Sequence, residues 1–337
     1  FGAGDTPANN ALAIRHATRN FPNREGSIPS SGQLASVALM DARSIAATAI
    51  NGGLLTPATE IDLPEARAEY VFDKQVYDRR IYQGFGRARR EEPLRFGPNI
   101  VDWPKIEPLP VNLLLKVACV IHDPVTTTDE LIPSGETASY RSNPLKLAEF
   151  TLSRKDPGYV ARAKAFHALE NQRLRLLVEG GPADDLQETF SSFWTEGKPT
   201  PEEFRNLIRD TGLATVICAV KPGDGSAREQ AASCQKVLGG QANIAVEYAT
   251  KRYRSNLINW GMLPFTVRKE SAGDIALDDL IYIPGIRPAI LNGEEKIAAF
   301  IVRERNRTPL ELKLEGLSPE DREIILAGCL INYCARK

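Results

Sequence analysis

The run Thr215-Val216-Ile217-Cys218-Ala219-Val220-Lys221-Pro222-Gly223-Asp224-Gly225-Ser226-Ala227-Arg228-Glu229-Gln230-Ala231-Ala232 decides how this chain is read. Its first six residues are β-branched or small and apolar, which predicts a buried strand. Two glycines follow, and then a helix opens that runs through Ala231 and Ala232. Strand, glycine loop and helix start together make an anion site. The glycines let backbone approach a ligand, and the helix N-terminus offers free N–H groups and the positive end of its dipole. Arg228 adds a planar, bidentate donor for a carboxylate. Ser226 stands where those N–H groups could stabilise its oxyanion, which would make a weakly acidic hydroxyl usable as a base. The same spacing also fits an N-capping serine beside a solvated arginine.

Upstream and downstream, short apolar runs alternate with helical patterns. Val111 to Val120 reads as a strand entering a core, and Asn243 to Val246 reads as another. The alternation predicts an α/β domain from about Pro110 to the end. Residues 70–110 carry Pro93, Pro98, Pro104, Pro108 and Pro110, which favour extended backbone, so a linker is expected there. Before it, Thr6-Pro7 is a helix start and Gln33 to Asn51 reads as a helix stopped by Gly52-Gly53. Pro157 to Gly212 is charged, mostly helical in pattern, and expected as a surface insertion. A last helix is expected from Ser318-Pro319-Glu320-Asp321, with Ile324, Ile325, Leu326, Leu330 and Ile331 as its apolar face.

Two other polar clusters could hold a ligand. Arg19 and Arg24 lie five apart in a loop with Asn20 and Asn23, a pairing suited to a ligand with more than one carboxylate, although surface arginines are commonly just solvated. Thr126-Thr127-Thr128-Asp129 leads on to Tyr140-Arg141-Ser142-Asn143-Pro144, polar loop chemistry that again ends in an arginine. Lys+Arg 42 against Asp+Glu 43 leaves a net charge of −1, and no basic aromatic stripe appears, which argues against nucleic acid as a partner. No apolar run approaches the length of a membrane span, and the start lacks a signal-peptide pattern, so a cytoplasmic protein without a membrane partner is expected. His16, His122 and His167 are dispersed and form no metal-binding spacing. The five cysteines include no CxxC pair and read as reduced, buried thiols. Trp103, Trp194 and Trp260 read as packing residues.

Four ordered segments resemble the aconitase superfamily. Gly225-Ser226-Ala227-Arg228-Glu229-Gln230-Ala231-Ala232 is similar to its GSSREHAA motif, and Tyr253-Arg254-Ser255-Asn256-Leu257-Ile258-Asn259-Trp260-Gly261-Met262-Leu263-Pro264 to its HRANLINFGILP segment. Arg19-Asn20-Phe21 through Arg24 is similar to the RNFxGR loop, and Thr127-Thr128-Asp129 with Arg141-Ser142-Asn143 to the entry of the swivel domain.

The resemblance implies an α/β protein in two parts: a remnant of the three-layer α/β/α cluster-bearing domain at 1–69, and, after the linker at 70–110, a swivelling β/β/α domain at 111–337. It implies a hydro-lyase that dehydrates and rehydrates a hydroxy di- or tricarboxylic acid. Ser226 would be the catalytic base, and Arg19, Arg24, Arg141 and Arg228 would hold substrate carboxylates. A [4Fe–4S] cluster is the implied cofactor, with its cysteines upstream of Phe1 and none in this chain. The expectation is therefore a C-terminal portion, inactive alone, whose missing N-terminal portion belongs to the same polypeptide or to a second chain. Ala227, Gln230 and Thr18 depart from the family motifs at Ser, His and Asn. They leave room for an alternative, a non-catalytic carboxylate-binding or sensor module.

Overall fold

The alanine- and leucine-rich stretch expected as one helix from Gln33 divides into a strand and a helix. In the computed structural model of the chain, the described residues are 2–3, 11–13, 37–62, 71–79, 86–87, 89–93, 95–180, 184–191, 200–303 and 306–337. They fall in two units, 1–97 and 98–337. In the first unit, β1 (Gly2–Ala3), β2 (Ala11–Ala13) and β3 (Val37–Leu39) form a three-stranded antiparallel sheet. Helix α1 (Ala42–Ile50) starts only after Asp41, whose carboxylate accepts from the N–H groups of Arg43 and Ser44 at 2.8 and 3.0 Å. That cap, invisible to a composition reading, sets the true helix start. Gly52 and Gly53 have φ of +65° and +89° and end it as expected. Helix α2 (Gln75–Asp78) is short and exposed. The helix start expected at Thr6-Pro7 lies outside the described residues.

The second unit is built on β4 (Asn112–Ile121), β6 (Thr211–Ala219), β8 (Gly240–Ala245), β9 (Leu263–Thr266), β10 (Leu280–Ile283), β11 (Lys296–Arg303) and β12 (Asn306–Lys313), with the small pair β5 (Thr126–Thr127) and β7 (Pro222–Asp224) beside them. Its helices are α3 (Thr128–Leu131), α4 (Pro144–Ala148), α5 (Tyr159–Glu179), α6 (Asp184–Ser191), α7 (Pro201–Asp210), α8 (Arg228–Val237), α9 (Lys251–Asn259), α10 (Lys269–Gly273), α11 (Ile286–Asn292), α12 (Pro319–Ala327) and α13 (Leu330–Cys334). The α/β expectation holds. The sheet, however, closes into a barrel in the order β10-β11-β12-β9-β8-β6-β4. Strands β4, β6, β8 and β9 pair in parallel and the other pairings are antiparallel. Closure rests on one register pair, Lys313 with Thr266.

Alternation explains the barrel. Leu113, Leu115 and Val117 of β4 point into one core with Val216, Ile244, Phe265, Ile281 and Ile301. Leu114 faces outward with Leu213, against Phe166, Leu186, Phe190 and Ile208 of the helices. All nine residues of β6 are buried because both faces are covered, which is why it reads as a continuous apolar run.

Parallel β4 and β6 need a crossover, and α5, α6 and α7 supply it. The stretch expected as a surface insertion is thus packed on the sheet, and Tyr159, Ala163, Phe166 and Arg173 of α5 are buried. Residues 98–110, the end of the expected linker, already belong to this unit. Leu109 is in the barrel core, and Trp103 and Ile106 pack on the second cluster.

The last expected helix breaks. Gly328 has φ +95°, and a methyl there would press on the Glu107 carbonyl, so α12 stops there and α13 starts anew at Leu330. Ile324 and Ile325 are buried as predicted, whereas Leu330 and Ile331 are exposed. No helix among the described residues is long and apolar enough to cross a membrane.

Candidate active site

Strand β6 delivers the chain to the loop singled out in the sequence. Val220 accepts from the N–H groups of Val246 and Glu247, both at 3.1 Å, which holds the strand end in place. Strand β7 then pairs in parallel with β5, Thr126 opposite Pro222 and Thr127 opposite Asp224. This small pairing joins two motifs that stand about a hundred residues apart in sequence. Gly225 has φ +123°, and any Cβ there would overlap the Thr128 hydroxyl. That hydroxyl accepts from the Ala227 N–H at 3.2 Å. Gly223, with φ +97°, lies so close to the Tyr253 ring that a methyl has no space.

The platform under this loop is fixed by caps and ion pairs. Thr127 and Glu130 form a capping box at the start of α3, with bonds of 3.2 Å to the Glu130 N–H and 2.7 Å to the Thr127 N–H. Lys155 meets Asp123 at 2.8 Å and Glu130 at 3.3 Å. Its hydrogen bond holds the Asp123 carboxyl below the usual carboxylate range. Arg154 bonds Asp129 at 2.8 Å, so Asp129 is engaged in holding the segment.

Helix α9 buttresses the loop from behind. Thr250 donates to the Gly223 carbonyl at 3.0 Å and caps α9 by accepting from the Tyr253 N–H at 3.1 Å. The buried Tyr253 hydroxyl donates to Asn243 Oδ1 at 2.8 Å and accepts from Gln235 Nε2 at 3.0 Å. Trp260 Nε1 donates to Glu229 at 3.2 Å, and its ring packs on Trp103 with centroids 4.4 Å apart. Residues 225–232 and 253–264 are therefore one packed assembly, and Trp103 and Trp260 are packing residues as expected.

Ser226 is exposed, directly ahead of the N-cap of α8. The cap itself is Ala227, with no side-chain cap bond, so the reading of Ser226 as an N-capping serine falls. The first-turn N–H groups of α8 lack intrahelical partners, as at any helix start, and leave the positive end of the helix dipole beside Ser226. Arg228 is the first helical residue and is half-buried, which limits its range of orientations. Arg141 is exposed, just ahead of α4, whose N-cap Asn143 accepts from the Lys146 N–H at 3.0 Å. Helix α4 packs on α8 through Leu147, Ala148, Ala231 and Ala232. Ser226, Arg228 and the segment bearing Arg141 thus share one framework. Arg19, Arg24, His16 and Trp194 lie outside the described residues. Sequence reasoning missed Thr128, Thr250, Tyr253, Gln235 and Asn243 as the groups that shape the loop. A threonine before each helix start was the available signal.

The cysteines do not gather. Cys119 and Cys218 lie on β4 and β6, Cys234 within α8, and Cys329 caps α13, all four buried. Burial pushes the Cys119 and Cys234 thiols up to about 12 and that of Cys218 higher still. Cys334 is exposed, which corrects the expectation of five buried thiols. Among the described residues no group of three or more His, Cys, Asp or Glu could hold a metal ion. These residues do not fit a [4Fe–4S] cluster.

Residues 196–270 match the Aconitase C-terminal domain family. The chain is 33% identical over 136 residues to the methanogen homoaconitase small subunit of Methanocaldococcus jannaschii, covering 40% of this chain and 69% of that protein. It is 29% identical over 176 residues to aconitate hydratase A of Streptomyces viridochromogenes, 50% of this chain and 19% of that protein. The match thus spans about a fifth of that hydratase. Among solved structures, a 3-isopropylmalate dehydratase from Methanocaldococcus jannaschii matches with a TM-score of 0.38 at 21% identity, over 66% of this chain and 94% of that one.

Proposed function

This chain belongs to the aconitase family, and on that premise we propose that it supplies the serine- and arginine-bearing side of a cytoplasmic hydro-lyase acting on a hydroxy di- or tricarboxylic acid. The observation that carries the reading is the junction at Gly225. There the Ala227 N–H meets the Thr128 hydroxyl at 3.2 Å, and Ser226 is left exposed at the head of α8. A framework held by a left-handed glycine, two threonines and a buried tyrosine leaves Ser226 at the surface.

In the proposed division of labour, Ser226 removes the proton next to a substrate carboxylate. Ser226 acts as the alkoxide, and as it takes the proton the negative charge passes from the serine to the substrate, beside the α8 N-terminus and Arg228. Arg228 and Arg141 hold carboxylates and orient the C–H bond towards the serine, and the family resemblance assigns carboxylate binding to Arg19 and Arg24 as well. The [4Fe–4S] cluster implied by the family would be held by a portion outside the described residues, on the same polypeptide or on a second chain, and would supply the Lewis acid for the departing hydroxide. One relative is by name a small subunit, and that favours a two-part enzyme. On this reading the chain alone is inactive.

Ala227 favours a second reading. Where the family motif has a hydroxyl, this chain has a methyl and a helix cap without a side-chain bond. A carboxylate-binding module without turnover would tolerate that loss.

One experiment separates them: the full-length gene product, reconstituted with iron and sulfide, is screened with hydroxy di- and tricarboxylates for absorbance of a conjugated double bond. The hydro-lyase reading predicts that absorbance rises with at least one acid. Binding by calorimetry that survives Ser226→Ala, with no absorbance change, would support the second reading. Neither binding nor turnover would exclude both.

A further inference from the structure

A cavity of about 430 Å³ lies at the opposite end of α8 from Ser226, bounded by residues 104–110, α5, the start of β6 and the turn 236–241. Ten residues of helix put the two ends roughly 15 Å apart. The cavity is within the ordinary size range of small-molecule sites. Much of its wall is apolar, from Ile106, Leu113, Leu174, Leu213 and Val237.

Its charge balance is uneven. Glu170, on the same wall, is fully matched: Arg173 donates to it twice at 2.7 Å and the Leu213 N–H once at 2.8 Å. Glu107 meets Lys105 at 2.6 Å. Lys236 is only 9% exposed, and its ammonium donates to the amide oxygen of Gln241 at 2.6 Å. Gln241 is itself fixed by donating to the Gly261 carbonyl at 2.6 Å, so its oxygen is held towards the lysine. Among the described residues no carboxylate pairs with Lys236. An ammonium has three donors, and a buried one is normally matched by a carboxylate. His167, on the same wall, adds a buried Nδ1 with no partner among the described residues. Its ring rests on the bare backbone of Gly239, where a Cβ would come within 2.6 Å of Nδ1.

We infer that this cavity binds a small monocarboxylate with a compact apolar body, its carboxylate on Lys236 and its body against the leucine and proline wall. The ligand differs from the reacting acid in having a single carboxylate and an apolar remainder. The site stands apart from the Ser226 loop and does not depend on the function assigned to that loop.

Benzoate and its neutral isostere benzamide are suitable probes, titrated calorimetrically into the full chain. The expected result is saturable binding of benzoate that is about tenfold or more weaker for benzamide and for Lys236→Met. Binding is lost in Leu174→Trp, which fills the cavity, and persists in Arg228→Ala. Lys236→Met removes an ammonium whose burial without a carboxylate is costly and keeps a side chain of similar length, so the variant is expected to fold. The benzoate–benzamide comparison needs no variant at all. Absence of saturable benzoate binding to the folded protein, equal binding of benzamide, unchanged affinity in Lys236→Met, or loss of binding in Arg228→Ala would each overturn the inference. The last outcome would place benzoate at the serine loop.

Discussion

Gly225 has φ +123° and no space for a side chain beside the Thr128 hydroxyl, so backbone freedom and close approach are required at one residue. Gly225→Ala is therefore predicted to destabilise the protein by about 2–4 kcal/mol in urea unfolding, through strain plus a displaced threonine. Gly316→Ala is the control: φ is +66° but nothing lies within 4 Å, so only the strain of about 1–2 kcal/mol remains. Equal losses at both positions would mean that the contact with Thr128 does not constrain the loop. Lys236 gives a pH-dependent prediction. Burial lowers its pKa to about 8 from the usual 10.5, so the unfolded chain binds more protons between these values. The cost of burying the ammonium is full below about pH 8 and is relieved as the pH rises to 10.5. Relative to Lys236→Met, wild-type stability should climb by about 3 kcal/mol across that window. A flat difference would show that Lys236 is not desolvated. At this scale the place of Ser226 and Arg228 at the start of α8 was legible because the motif is contiguous. Thr128 was not, since its role comes from a contact across 99 residues.

Secondary elements were legible where local chemistry decides them and obscure where packing does. The capping box at Ser318 and Asp321 was read correctly, with bonds of 3.1 and 2.9 Å. The stop at Gly328 was not, because it depends on the Glu107 carbonyl more than two hundred residues away. Likewise β3 and α1 look like one helix in the sequence, since an alanine-rich strand and an alanine-rich helix are alike until the Asp41 cap is recognised. The cap that bears on the site is Thr127. Thr127→Ala should cost about 1 kcal/mol in thermal or urea unfolding. Ser318→Ala should cost a similar amount, but only the Thr127 change should also weaken carboxylate binding at the Ser226 loop, because α3 carries Thr128. Equal effects of both variants on carboxylate binding would separate the α3 cap from the loop.

At the scale of the molecule, an α/β fold followed from the alternation of strand and helix, while barrel closure did not. Closure joins Lys313 to Thr266 and β10 to β4, pairings between segments that no sequence window contains. The helical stretch after Pro157 looked like an appendage because its surface is charged. In the structure its buried residues cover Leu114 and Leu213 on the outside of the sheet. The barrel and its helices hold the β6–α8 turn at fixed geometry, and the proposed chemistry needs that rigidity in the serine half of the site. The most direct test is kcat of the complete, cluster-loaded enzyme with and without Ser226→Ala, using the acid that turns over best. The account predicts a fall of about 10²–10⁴-fold in kcat with substrate binding largely retained; an unchanged kcat in the folded variant would contradict it.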